Sequence, residues 1–351
     1  MTTRRAFLAG LAAAAAVPRL TWADVGGPAF VAAGKAGEDF VLHGLSAAGN
    51  SLFRLPLPAR GHAAAAHPTD ALAVAFARRP GTFALVIDCA SGAVRHRLRP
   101  PPGRQFNGHG VFSADGALLM TSEVVAEGSA GRIGLWDTAG FVRIAEWDSH
   151  GIGPHDLKIL GDGTLVVANG GIQTDPADRS KLNLATMRPN LSLLAGDGAL
   201  LDQVELAPGR RQNSIRHLAR VGAGVAFAMQ WEGDKAESVP QLGLWTPGSQ
   251  PVLCPPPDEQ AFALQGYAGS VAATRDLIAL TSARAGAMMI FDTNGQFRAS
   301  FQRADLAGVA ASADGFVVSD GQGAVWACKL DGLTLLDRQS TAWDNHLIAL
   351  G

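Results

Sequence analysis

"RQFNGHGVFSADG" (residues 104–116) and "GIGPHDLKILGDG" (residues 151–163) share one arrangement. In each, a histidine (His109, His155) stands beside glycine or Gly-Pro, leads into an apolar run, and the run ends in Asp-Gly (Asp115-Gly116, Asp162-Gly163). Such a run reads as a buried strand entering a tight turn, because Asp bonds the local backbone and Gly supplies a positive φ. The phrase returns as "GHAAAAHPTD" (61–70), "SIRHLARVGAG" (214–224), "GSVAATRD" (269–276) and "AGVAASADG" (307–315), each followed by an apolar strand, a hairpin and another strand. His62 and His109 are 47 residues apart, His109 and His155 46, and Gly269 and Gly308 39. Periods of about 40–50 residues with four strands per unit mark the blades of a β-propeller.

The ends of the chain complete the count. "AWDNHLIAL" (342–350) has the look of an innermost strand with no blade behind it, whereas "AFVAAG", "DFVLHGL" and "SLFRLPLP" near the N-terminus are three strands lacking an innermost one. Pairing the two ends closes a seventh blade and removes an exposed strand edge. The expectation is an all-β, seven-bladed propeller in one domain over residues 24–351. Residues 172–192, around "IQTDPADRSKLNLATMRPN", form an inserted loop on one propeller face.

The first residues carry a different signal. "TTRRAFLAGLAAAAAVPRLTWADV" (2–25) has paired Arg4-Arg5, then Phe7-Leu8, an Ala/Leu-rich run to Val17 and the small-x-Ala pattern Thr21-Trp22-Ala23. This resembles a twin-arginine (Tat) signal, residues 1–23, cleaved before Asp24, and implies a periplasmic protein. The apolar run is too short and alanine-rich for a good membrane span, and none is expected after it. An uncleaved N-terminal anchor is the other reading.

Composition excludes several classes. A net charge of −2 argues against a general nucleic-acid binder, which needs a basic face. Three widely spaced cysteines (Cys89, Cys254, Cys328) form no C-x-x-C or C-x-x-C-H, so neither a dithiol motif nor covalent haem is expected. "VGAGVAF" leads into a strand and is no nucleotide fingerprint. No G-x-S-x-G, H-E-x-x-H or Walker loop occurs.

The histidines are the candidate site. Innermost strands line a propeller's central channel, so His62, His109, His155, either Arg216 or His217, and His346 come from corresponding places in five consecutive blades. Five of the nine histidines stand at these corresponding places. The other two blades offer Gly269 and Gly308, with Tyr267 nearby. Imidazoles converging on one channel mouth suit iron, copper or zinc, and Arg216 suits an anionic metal chelate. Glu123 and Glu232 end strands where a carboxylate can turn toward the mouth. Lys181, with Asp175, Arg179 and Asn183, belongs to a polar lid in the insertion. Asp156 points away from His155 in a regular strand and suits a supporting role. Against all this stands a structural reading, in which the histidines pin blades together as the His-Asp pairs of WD-type repeats do. His43, His67, His96 and His150 lack the placement and read as packing or surface residues.

Taken together, the Tat-type start, "NGHGVFS", "GPHDLKIL", "VVANGGI", "KLNLATMRPNL", "SIRHL", "GYAGSVA", "TSARAG" and "WDNHL" resemble the bacterial family called domain of unknown function 1513 over nearly the whole mature chain. The resemblance implies a Tat-exported, iron-regulated propeller acting in iron or metal acquisition beside imelysin-type lipoproteins and a di-haem oxidoreductase-like protein. It implies no established reaction. Where the family pattern has Thr-His-Pro, this chain has Thr174-Asp175-Pro176, so a histidine-dependent role of that loop is not expected. Three functions follow in order: a metal or metal-chelate binding protein, a metal-assisted hydrolase or lactonase-like enzyme, and a protein-interaction scaffold.

Overall fold

The computed structural model describes residues 20–78, 81–178 and 180–350. The twin-arginine segment therefore lies outside the described residues, except for its last few positions, and so does Arg179. Seven four-stranded sheets follow one another around a ring. Their innermost strands are Gly61–Ala66, Arg104–Phe112, Pro154–Ile159, Asn213–Val221, Ser270–Ala273, Leu306–Ser312 and Ala342–Ala349. Each packs beside the next, so the seven enclose an axial channel. Among the described residues there is no α-helix, and none is long and apolar enough to cross a membrane.

Alternation within the strands explains where the core lies. Every blade buries both faces against its neighbours, so the middle strands are mostly apolar on both sides: Leu165–Asn169 is wholly buried. Outermost strands meet solvent, and Val94–Leu98 buries only Leu98. Seven separate apolar clusters result, one at each blade interface. At the interface of the blades starting at Pro154 and Asn213, Phe227 and Trp245 pack with Val166, Leu191 and Leu218. Each fully buried side chain of this size contributes roughly 1.5–3 kcal/mol.

Closure is as expected. Ala342–Ala349 pairs antiparallel with Phe30–Ala36, in the register Phe30↔Ala349, Val31↔Ile348 and Ala32↔Leu347. Phe30, Ala32, Trp343 and Leu347 then share a cluster with Ala310 and Val317 of the last blade.

The Asp-Gly turns form for the anticipated reason. Gly116 and Gly163 have φ of 73° and 86°, and Asp115 and Asp162 accept the Ala117 and Thr164 N–H groups at 3.0 Å. The turn at Asp137-Thr138-Ala139-Gly140 differs: Phe141, not Gly140, takes the positive φ, 50°. Phe141 is buried among Phe106, Phe112 and Trp136, and this packing offsets the strain of a non-glycine residue there.

The insertion spans residues 170–189, between strands Leu165–Asn169 and Asn190–Leu194. Pro154 pairs with Asn169, so the loop leaves from the face on which the innermost strand begins. A bridge between Thr174 and Lys181 and two hydrogen bonds from Asn183 hold it there: Oδ1 accepts Gln173 N–H at 2.7 Å, and Nδ2 donates to the Gly171 carbonyl at 2.9 Å.

Residues 20–23 also pack on the ring. Thr21 bridges Asp70, and the Trp22 indole donates to the His67 carbonyl at 2.8 Å.

Candidate metal centre

The five histidines are aimed inward by one repeated device. In four of their innermost strands the pairing register breaks at the histidine, between Gly61 and Ala64, Phe106 and Gly110, Pro154 and Leu157, and Trp343 and Leu347; in Asn213–Val221 it breaks beside the histidine, leaving Arg216 out of the ladder while His217 still pairs with Ala228. A bulge unpairs residues from the ladder and re-aims their side chains. Consecutive residues can then face one space, which a regular strand forbids. Arg216 and His217 are both buried and both reach the channel. The alternative between them is thus resolved in favour of both.

Glycine makes room for the rings. Gly108 has φ of 96°, and a Cβ there would overlap the His62 imidazole. At Gly110 a Cβ would stand 2.5 Å from Phe76 Cζ and 2.8 Å from the Met120 carbonyl oxygen. Gly308, at the corresponding place in the last blade, would put a Cβ 2.8 Å from Leu347 N. In the histidine-free arc, neighbouring backbone thus runs close at Gly308, and the Tyr267 ring takes the space beside Gly269.

His62, His109, His155, His217 and His346 meet as a compact layer. Ring centroids are 4.6 Å apart for His109–His155 and His155–His217, 4.7 Å for His62–His346, 4.8 Å for His217–His346 and 5.0 Å for His62–His109. Two triads, His62–His109–His155 and His109–His217–His346, each have ligand atoms within 4.8 Å of one another. Zinc–nitrogen bonds of about 2.0–2.1 Å need each ring to close in by less than about 1 Å. His62 is half-buried and the other four are buried.

The layer lies inside the channel, not on its rim, because the bulges fall within the strands. A cavity of about 220 Å³ opens on the side where the strands begin, lined by His62, His155 and His217. A second of about 240 Å³ lies toward the strand ends, lined by His109, His217 and His346 with small residues such as Ala272 and Ala310.

Burial favours the neutral form of three of the imidazoles. Burial, then the neighbouring histidines, holds His155 and His217 well below the usual histidine range. Burial brings His346 down to about 4 against the pull of Asp344 and Asp156. Neutral imidazole is the metal-binding form. Buried His155 Nδ1, His217 Nδ1 and His346 Nε2 find no hydrogen-bond partner in the protein. The Asp156 side chain supports the layer: Oδ2 accepts Leu218 N–H at 2.9 Å, and Oδ1 lies 3.6 Å from His109 Nδ1.

The remaining candidates divide. Glu123 is a correction: it is fully buried within its own blade, where Oε1 accepts from Arg143 at 2.6 Å and Thr121 at 2.7 Å. Its strand position did point inward, but toward Gly134, which leaves space for the carboxylate. Lys181 pairs with Glu232, and both line the first cavity with Tyr267. His43 bonds Ser51 at 2.8 Å, and His67 Nδ1 accepts Asp70 N–H at 2.9 Å, so both serve local structure. Arg78 and Arg284, also in the first cavity, had no sequence signal; they sit in loops and strand ends that only the closed ring brings to the channel.

The molecule is thus a seven-bladed β-propeller whose channel is crossed by a layer of five imidazoles. The chain belongs to the family described as "Protein of unknown function (DUF1513)", matched over residues 55–350. Comparison with curated proteins returns no match. Among solved structures, hydrazine synthase of Kuenenia stuttgartiensis is similar at 11% identity and a TM-score of 0.59, over 86% of this chain and 90% of that one. A chain of the mitotic checkpoint complex is similar at 11% identity and a TM-score of 0.54, over 78% and 75%. At these identities the likeness is one of fold alone.

Proposed function

We propose that this protein is a periplasmic, Tat-exported binding protein that holds a transition metal at its histidine layer and acts in iron or metal acquisition, alongside imelysin-type and di-haem oxidoreductase-like proteins. One observation carries the metal reading: five imidazoles converge, four of them buried, and three of the buried ones have ring nitrogens with no partner in the protein. Histidines with a structural role would spend those nitrogens on nearby chain, as His43 does on the adjacent strand and His67 on its own turn. An all-nitrogen donor set suits zinc, copper or iron and disfavours calcium or magnesium. Export rests on Arg4-Arg5, and the partners rest on the family resemblance.

The test is isothermal titration of the purified protein with zinc, copper(II) and iron(II), together with metal analysis of protein taken from the periplasm. Binding to the wild type that is lost in His109→Ala/His155→Ala supports the reading. Equal binding by the double variant returns the histidines to a structural role.

A hydrolytic function has one observation in its favour. The His62–His109–His155 triad borders an open cavity, and catalytic zinc sites pair three protein ligands with one open position. Turnover of ester or lactone substrates by the zinc-loaded protein separates this reading from binding alone.

A further inference from the structure

The two sides of the histidine layer differ in charge. On the strand-end side, the Lys158 ammonium stands 3.4 Å from the Asp156 carboxylate and the other lining residues are mostly small and apolar. On the strand-start side, Arg78, Lys181, Arg216 and Arg284 line the cavity with Glu232 as the one carboxylate among the described residues, and Lys181 already pairs with it.

Arg216 is the decisive residue. It is 6% exposed, and its Nε has no hydrogen-bond partner. A guanidinium stays protonated in proteins, so a buried one demands an opposite charge or a full set of acceptors. The bulge that aims Arg216 into the channel also separates it from the ladder. Across the cavity, the Arg284 guanidinium lies 4.4 Å over the Tyr267 ring, which fixes its direction without neutralising it.

We propose that this cavity is an anion site for a small polycarboxylate, held by Arg216 and Arg284 above the floor of His62 and His155. Resting on the metal reading of the same layer, the protein then receives its metal as a carboxylate chelate: the arginines take carboxylate oxygens, and the histidines take the metal. Arginine's fork of donors matches carboxylate geometry. The volume, about 220 Å³, equals about seven water molecules at ~30 Å³ each and is below the ~300–1,000 Å³ of drug-sized pockets, which restricts the ligand to a small one.

Citrate and inorganic phosphate are the probes, titrated into the full chain with and without prior zinc. Citrate should bind the wild type, more tightly after zinc loading, and at least about 10-fold more weakly in Arg216→Gln and Arg284→Gln. Zinc alone should bind Arg216→Gln no more weakly than the wild type, since a neighbouring cation has been removed. Arg284, at the rim, keeps the test decisive if the buried Arg216 variant fails to fold. Citrate binding that is absent from the wild type, or unchanged in both variants, overturns the proposal. Phosphate binding tighter than citrate overturns the carboxylate class. Citrate binding with no zinc binding supports the anion site and overturns the metal reading instead.

Discussion

Asp156 Oδ1 stands 3.6 Å from His109 Nδ1, while Oδ2 of the same carboxylate accepts the Leu218 N–H of the next blade at 2.9 Å. One side chain thus fixes a blade interface and orients a member of both histidine triads. Asp156→Ala should lower zinc affinity about 10–100-fold, as loss of a carboxylate behind a ligating histidine does. It should also destabilise the protein by about 1–3 kcal/mol through the orphaned Leu218 N–H. Asp156→Asn, which keeps an acceptor for that N–H, should lose affinity with a smaller change in stability. Titration calorimetry and urea unfolding check both, and unchanged zinc affinity would detach Asp156 from the site.

Gly108 is held at φ of 96° beside the His62 ring. Gly108→Ala meets both backbone strain and a steric clash, and should destabilise the protein by roughly 1–3 kcal/mol. It should also displace His62 and so weaken zinc binding. A wild-type unfolding curve for this variant would mean that the two strands lie further apart.

Removing Trp343–Gly351 takes away most of the strand that pairs with Phe30–Ala36 and strips Trp343 and Leu347 from their cluster. The ring opens, an apolar edge is exposed, and cooperative unfolding should give way to aggregation. Thermal melts followed by light scattering test this; an unchanged melting temperature would count against closure.

The metal-free protein should lose stability on acidification. His155, His217 and His346 have folded pKa values below the usual 6.5, His346 at about 4. Above pH 6.5 they are neutral in both states and contribute no pH dependence. As the pH falls from 6.5 toward 4, the unfolded chain takes up protons that the folded chain refuses, so stability falls by up to about 1.4 kcal/mol per pH unit per histidine. Below about 4 the contribution of His346 levels off. Urea unfolding between pH 7.5 and 4.5 reads the slope, and replacing all three histidines by Gln should flatten it.

Changing Arg4 and Arg5 to Lys should leave the precursor in the cytoplasm, and normal periplasmic accumulation would sink the Tat reading. Mass spectrometry of the exported N-terminus addresses cleavage. Asp24 as the first residue means that the Trp22 contact with His67 is absent from the mature protein, whereas a longer chain means that it is kept.

The sequence by itself determined the ring. Strand length, Asp-Gly turns and a 39–47-residue period are local properties, and the unpaired strands at the two ends left closure as the way to cover both edges. It also picked out His62, His109, His155 and His346, because the repeat marks corresponding positions. Only the tertiary structure decided what those positions do. Register breaks are pairing events between strands, so nothing local announced that Arg216 and His217 face the channel together or that Asp156 reaches His109. Glu123 shows the converse. Its place at a strand end looked suitable for the site, but the space left by Gly134 on the neighbouring strand and Arg143 from the outermost strand of the blade claim it for the interior of its blade. The cationic cavity is decided in the same way: Arg78, Lys181, Arg216 and Arg284 are far apart along the chain and meet where the closed propeller turns its loops toward one axis.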